Sequence, residues 1–195
     1  MSPLLSTRAG ASARAFGFLS PPSGPLSGFE SIATVVATGS TADIAFTAIP
    51  QNYVALQIRS SFRIASGTLT TLRMTFNNES GTFYANHALN GDGATATATG
   101  AGSMQYINTV LGFGTSGVGV WGAGIIDIHD YASTGRLKTA RVFTGRDANG
   151  SGTVSLSSGL FLITAPITTI RLYYGGAGAL SGGSTFALYG IKGAS

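Results

Sequence analysis

The chain reads as an all-β protein: an antiparallel β-sandwich or jelly roll with an extended N-terminal arm. Three observations predict this. Apolar residues recur with a period of two from Phe29 onward. Clusters of Gly, Asn and Ser punctuate those runs. No segment sustains the ~3.6-residue apolar spacing of an amphipathic helix.

The arm comes first. Residues 1–28 are rich in Gly, Ser, Ala and Pro, and Arg8 and Arg14 are their only charged side chains. The run Ser20-Pro21-Pro22-Ser23-Gly24-Pro25 can continue neither a helix nor a central strand, because proline lacks the N–H and fixes φ. Upstream of it, Phe16 and Phe18 sit among small residues. The segment reads either as a free tail or as a docking peptide, in which small residues permit close backbone approach and the two aromatic rings anchor it. The domain division is therefore 1–28 for the arm and 29–195 for the β unit.

Within the β unit, strands are expected near 29–38, 42–48, 53–65, 68–77, 103–113, 118–130, 136–145, 152–164, 167–175 and 184–192. Ile44 and Phe46 flank Ala45. Val54, Leu56, Ile58, Phe62 and Ile64 alternate with Ala55, Gln57, Arg59, Ser61 and Arg63. Leu72, Met74 and Phe76 alternate with Thr71, Arg73 and Thr75, and Val154, Leu156, Leu160 and Leu162 share one parity. Each set predicts a strand with its apolar side on the core. Turns are expected at Ala65-Ser66-Gly67, Asn90-Gly91-Asp92-Gly93, Ser133-Thr134-Gly135 and Asn149-Gly150-Ser151-Gly152. A short helical turn is expected around Tyr84 to Leu89, and an exposed loop from Gly91 to Gly102. Eight to ten strands in one domain imply two packed sheets.

Composition narrows the function. Hydrophobic residues make up 44% of the 195, enough for a core without metal or disulfide staples, and there is no cysteine. Charged residues are only 9%, far below the ~25% usual in globular domains. Little charge has to be desolvated when such a surface meets another subunit. The net charge of +4 is scattered, without a run of Lys or Arg, so nucleic acid is not an expected partner. Leu4-Leu5 is shorter than a signal-peptide apolar region, and no stretch approaches the ~20 apolar residues of a membrane span. The expectation is a protein made in a cytoplasm, with no membrane insertion.

Catalytic chemistry is thinly represented. His87 and His129 are the only histidines, and Glu30 and Glu79 the only glutamates. Asp127-Ile128-His129-Asp130-Tyr131 places a histidine between two carboxylates. Alternation puts Asp127, His129 and Tyr131 on one strand face and Ile126 and Ile128 on the other. That face reads as a base or metal site, or as a polar outer face. Asp147-Ala148-Asn149-Gly150-Ser151-Gly152 matches the first half of a calcium loop through Asp147, Asn149 and Ser151. The acid that should complete it is replaced by Ser158, and a hairpin turn explains the same letters. Trp121, with Tyr106, Tyr173 and Tyr174, is a candidate sugar-stacking set, although aromatic residues of sandwiches more often fill the core. No cofactor is expected.

Several segments are familiar. Phe29-Glu30-Ser31-Ile32-Ala33-Thr34, Ile44 to Pro50, Leu56-Gln57-Ile58-Arg59, Leu72 to Asn77, Ile125 to Ala132, Asn149-Gly150-Ser151-Gly152, Ser158-Gly159-Leu160 and Phe186 to Gly193 resemble structural proteins of tailed-bacteriophage virions. Ala11-Ser12-Ala13-Arg14-Ala15-Phe16-Gly17-Phe18 resembles the N-terminal segments of tail-fibre and minor tail proteins. The resemblance implies a non-enzymatic virion component, either a tail-fibre or tail-tip subunit or a capsid decoration. The sparse charge adds the expectation of a homotrimer, assembled in the host cytoplasm. Arg8, Arg14, Phe16 and Phe18 would dock it onto another virion protein, and Trp121, Asp127, His129 and Tyr131 would be the candidate contacts to a host surface glycan. The alternative is a carbohydrate-binding module using Trp121 and nearby polar residues. A hydrolase hidden in the sandwich comes third.

Overall fold

The computed structural model describes residues 28–65, 72–110, 119–175 and 178–193. The arm, with Arg8, Arg14, Phe16 and Phe18, lies outside the described residues, as does the turn at Ser66-Gly67. What is described is an antiparallel β-sandwich. The larger sheet contains β1 (Phe29–Val36), β12 (Thr185–Ile191), β3 (Ala55–Phe62), β8 (Gly122–His129), β9 (Lys138–Asp147), β10 (Gly152–Phe161), β5 (Tyr84–Gly91) and β6 (Ala96–Met104), in that spatial order. The smaller sheet contains β2 (Asp43–Phe46), β11 (Ile170–Tyr174), β4 (Leu72–Phe76) and β7 (Ile107–Val110). No helix among the described residues is long and apolar enough to cross a membrane.

The alternation puts the expected side chains inside for most strands. Ile44, Phe46, Leu56, Ile58, Phe62, Ile64, Leu72, Met74, Phe76, Ile126 and Ile128 are all buried, each side chain contributing about 1.5–3 kcal/mol of transfer free energy. Val54 is one exception; it lies before β3 and is exposed. At one end of the core Tyr84 stacks on Phe161 at 5.0 Å, and Phe161 meets Phe76 edge-on at 5.4 Å. The Tyr84 hydroxyl accepts the Phe76 N–H at 3.0 Å and donates to the Glu79 carbonyl at 3.1 Å. Burial raises its pKa to about 12. Lys138 is fully buried, and its ammonium donates to the carbonyls of Ser133, Arg136 and Thr164 at 2.5, 2.7 and 2.6 Å. One side chain thereby ties the turn after β8 to the segment after β10, because an ammonium has three donors to place.

The described residues hold twelve strands rather than the expected eight to ten, and three further expectations are overturned. Tyr84 to Leu89 is not a helical turn but most of β5, paired along its length with β10. Tyr84 and Asn86 point inward at alternate positions, and Asn86 bridges to the next segment through the Tyr106 carbonyl and the Asn108 N–H. Gly91 to Gly102 is exposed as expected, but much of it is strand: β6 pairs with β5 as a hairpin. Its Ala/Thr/Gly composition lacks an apolar alternation because both of its faces are open to solvent.

The third correction is at β10. The parity bearing Val154, Leu156, Leu160 and Leu162 does not face the core. Val154, Leu156 and Leu162 are 48%, 55% and 44% exposed, while Ser155, Ser157, Gly159 and Phe161 point inward. Phe161 belongs to the aromatic cluster, so its parity is the one that must be buried. Gly159 lies under Ile107 of β7, where a Cβ would come within 2.5 Å of Ile107 Cγ2. Ser155 donates to Asn90 Oδ1 at 2.7 Å and Ser157 to the Asn108 carbonyl. Close approach of the second sheet selects glycine and hydrogen-bonded serine inside, and the larger apolar residues are left outside.

Candidate functional site

The outer face of the larger sheet carries the residues that the core does not use. The pairing register sets Ile125, Phe143, Leu156 and Leu89 opposite one another on β8, β9, β10 and β5. They are 40%, 54%, 55% and 54% exposed. The neighbouring row on one side is small and apolar: Ala123, Gly145, Val154 and Gly91. The row on the other side is polar: Gln57, Asp127, Arg141, Ser158 and His87. Phe143 and Leu156 thus form a ridge between two shallow depressions. One is floored by Gly124 and Ala187 beside Arg59, and the other is bounded by His87 and Ala98. Toward β1, the Arg59 guanidinium lies over the rings of Phe29 and Tyr189 at 5.2 and 5.6 Å.

The predicted glycan face does not form as one unit. Asp127 and His129 lie on the outer side of β8, with Asp127 accepting from Gln57 Nε2 at 2.7 Å. Tyr131 does not join them. The strand ends at His129, Asp130 adopts a positive φ of 56°, and the chain turns the ring into the core. There the Tyr131 hydroxyl donates to the Pro50 carbonyl at 2.6 Å and accepts from the Tyr53 N–H at 3.2 Å. Trp121 stands before the opposite end of β8, about 20 Å from Asp127 at the strand rise of ~3.3 Å per residue. The tyrosines are elsewhere too. Tyr174 is buried, and Tyr106 and Tyr173 belong to the smaller-sheet side, covered by Arg73 at 4.0 Å and Arg171 at 4.7 Å respectively.

Trp121 instead lines the same trough as the tips of two hairpins. It is 38% exposed, and its ring edge lies against Gly183. It shares an open trough of about 540 Å³ with Asp92, Arg146, Asp147, Ser151 and the glycines around them. The first tip is Asp92 to Thr95. Asp92 Oδ1 accepts the Thr95 N–H at 2.7 Å and the Ala94 N–H at 2.9 Å, which holds its carboxyl below the usual carboxylate range. The second tip is the calcium-loop candidate. Asn149 and Gly150 have φ of 54° and 96°, and the Ala148 N–H reaches the Ser151 carbonyl at 2.7 Å. These are the features of a primed two-residue hairpin turn. Asp147 Oδ1 accepts the Asn149 N–H at 2.8 Å, so the carboxylate braces the turn. Among the described residues no three His, Asp or Glu side chains gather as a metal cluster.

No protein-family model, curated protein or solved structure matches this chain.

Sequence reasoning missed both surface features. The apolar row was invisible because the sequence puts only Leu156 of its members on a core face; Ile125 shares the parity of Asp127, Leu89 falls in the expected helical turn, and only the pairing register aligns them with Phe143. The trough was invisible because its walls come from β5–β6, β9–β10 and the start of β8, which only the sheet order brings together.

Proposed function

We propose that this protein is a non-enzymatic structural subunit of a tailed-bacteriophage virion, on a fibre, on the tail tip or as capsid decoration. In this reading it assembles with copies of itself as a homotrimer, and residues 1–28 attach it to the particle. One observation carries the reading: β10 turns Val154, Leu156 and Leu162 to solvent, and Leu156 lines up with Ile125, Phe143 and Leu89 across four strands. An exposed contiguous apolar row on a sparsely charged sheet is the signature of a surface covered by a partner. A self-complementary contact needs no second protein species.

The magnitudes say how such an assembly behaves. Covering the exposed halves of four side chains contributes on the order of 1 kcal/mol each. Association costs at least ~4 kcal/mol in lost rigid-body freedom. The row therefore supports weak self-association in dilute solution and firm association when attachment to a particle raises the local concentration. The test is sedimentation of the full chain together with particle incorporation. The expected result is a concentration-dependent trimer that Phe143→Glu with Leu156→Glu converts to a folded monomer, along with loss of incorporation. A wild-type chain that stays monomeric at high concentration and is absent from particles overturns the reading.

A further inference from the structure

We infer that the trough at the two hairpin tips is a binding site for a neutral oligosaccharide, with Trp121 as the platform for one unit and Asp147 and Asp92 as hydroxyl acceptors along its length. The trough is contiguous with the outer sheet face but chemically different from it. Its aromatic wall is Trp121, partly exposed and backed by Gly183, whose φ is +86°. Aromatic faces of this kind stack on the apolar C–H faces of pyranose rings, and nearby carboxylates accept the ring hydroxyls. Asp92 and Asp147 each commit one oxygen to their own hairpin backbone, which fixes the side chain before any ligand arrives. Prior fixing of this sort lowers the entropy lost on binding.

The floor of the trough strengthens the inference. Ala123 and Gly145 face each other across β8 and β9, next to Val154 and Gly91. At other positions of the sheet glycine is required by packing. A Cβ at Gly159 would strike Ile107 at 2.5 Å, and one at Gly190 would strike the Tyr53 ring at 2.4 Å. At Gly145 a Cβ would meet nothing nearer than the Thr153 carbonyl oxygen at 3.8 Å, and the backbone there is not in the left-handed region. Neither packing nor conformation demands glycine at this position. Its missing side chain leaves space, in a trough whose volume lies within the range of small-ligand sites.

Charge selects among sugars. Two carboxylates line the trough against one guanidinium, Arg146, and hydrogen bonds from Thr95 and Ala94 favour the ionised form of Asp92. Sialylated or uronate-bearing glycans would bring a like charge to this rim, whereas neutral hexose or N-acetylhexosamine units would not.

The chain has one tryptophan, so intrinsic tryptophan emission reports on the trough directly. The full-length protein is titrated with neutral oligosaccharides of glucose, galactose, mannose and N-acetylglucosamine, and with sialylated and polyuronate oligosaccharides. At least one neutral series is expected to change Trp121 emission saturably, with the acidic series weaker. Gly145→Val keeps the fluorophore and suits a strand; it is expected to weaken binding about tenfold or more by filling the floor, with an unchanged circular dichroism melt. Trp121→Ala, followed by calorimetry, is expected to lose binding. The Phe143→Glu, Leu156→Glu monomer is expected to keep the site, which separates this inference from the assembly reading. An unresponsive Trp121 across all neutral series, binding unaffected by Gly145→Val, or tighter binding of acidic glycans would each overturn it.

Discussion

At the residue scale, the side chains under greatest constraint are those that close the core where the two sheets approach. Tyr84 is fully buried, and its hydroxyl accepts the Phe76 N–H. Tyr84→Phe keeps the ring stack on Phe161 but strands that buried N–H, so it should destabilise the fold by about 1–3 kcal/mol in urea unfolding. The raised pKa of Tyr84, about 12 against the ordinary 10.0, sets the sign of its pH dependence. Between these values the unfolded state loses the proton first. The contribution is whole below ~pH 10 and disappears as pH rises through the folded value. Stability measured from neutral to alkaline pH should therefore fall above ~pH 10, less steeply in Tyr84→Phe. Gly159 is the other constrained point. Gly159→Ala drives a methyl into Ile107 and should cost about 1–3 kcal/mol through overpacking. Adding Ile107→Ala, which removes the struck atoms, should reduce the extra penalty in a double-mutant cycle.

At the element scale, β10 and β6 matter most. β10 carries serine and glycine inward and leucine outward, so its surface positions should be energetically quiet in the isolated subunit. Leu156→Lys should shift the unfolding free energy by no more than ~0.5 kcal/mol while weakening self-association. β6 closes the larger sheet as an edge, exposed on both faces, with neither proline nor a charged residue along Ala96–Met104. Edge strands without such protection pair readily with other strands. Ala98 lies in register with Leu89, so Ala98→Lys puts a charge at the end of the apolar row. It should lower the sedimentation-measured association without changing the melting temperature by more than a few degrees.

At the scale of the whole molecule, the sandwich is expected to be independent of its arm. The described residues begin with Gly28, whose carbonyl accepts the Lys192 N–H at 2.8 Å, and Glu30 forms an ion pair with Lys192. The two ends of the β unit are thus tied to each other. Deleting residues 1–25 leaves these contacts intact, so circular dichroism should give an unchanged strand spectrum and melt. Under the assembly reading the same deletion abolishes incorporation into particles, measured by pull-down with the particle. Normal incorporation of the truncated chain would remove the docking role of the arm.

Residue order alone was enough to determine the class of this fold. The alternation of Leu56, Ile58, Phe62 and Ile64, and of Leu72, Met74 and Phe76, follows from a side-chain period of two and needs no knowledge of neighbours. The Asn149-Gly150 turn was equally legible, since few residues adopt positive φ at low cost. Tertiary structure decided the rest. Val154, Leu156 and Leu162 have the pattern of a core face, and only the approach of Ile107 to Gly159 and the aromatic cluster around Phe161 turn them outward. Tyr131 shares the parity of His129 in sequence, but a left-handed residue at Asp130 sends it inside. Trp121, Asp92 and Asp147 are far apart along the chain and line one trough only because β5, β8, β9 and β10 are assembled in one sheet. Periodicity reports which residues share a face. Which face meets the second sheet, and which strands lie side by side, depends on contacts between residues distant in the chain.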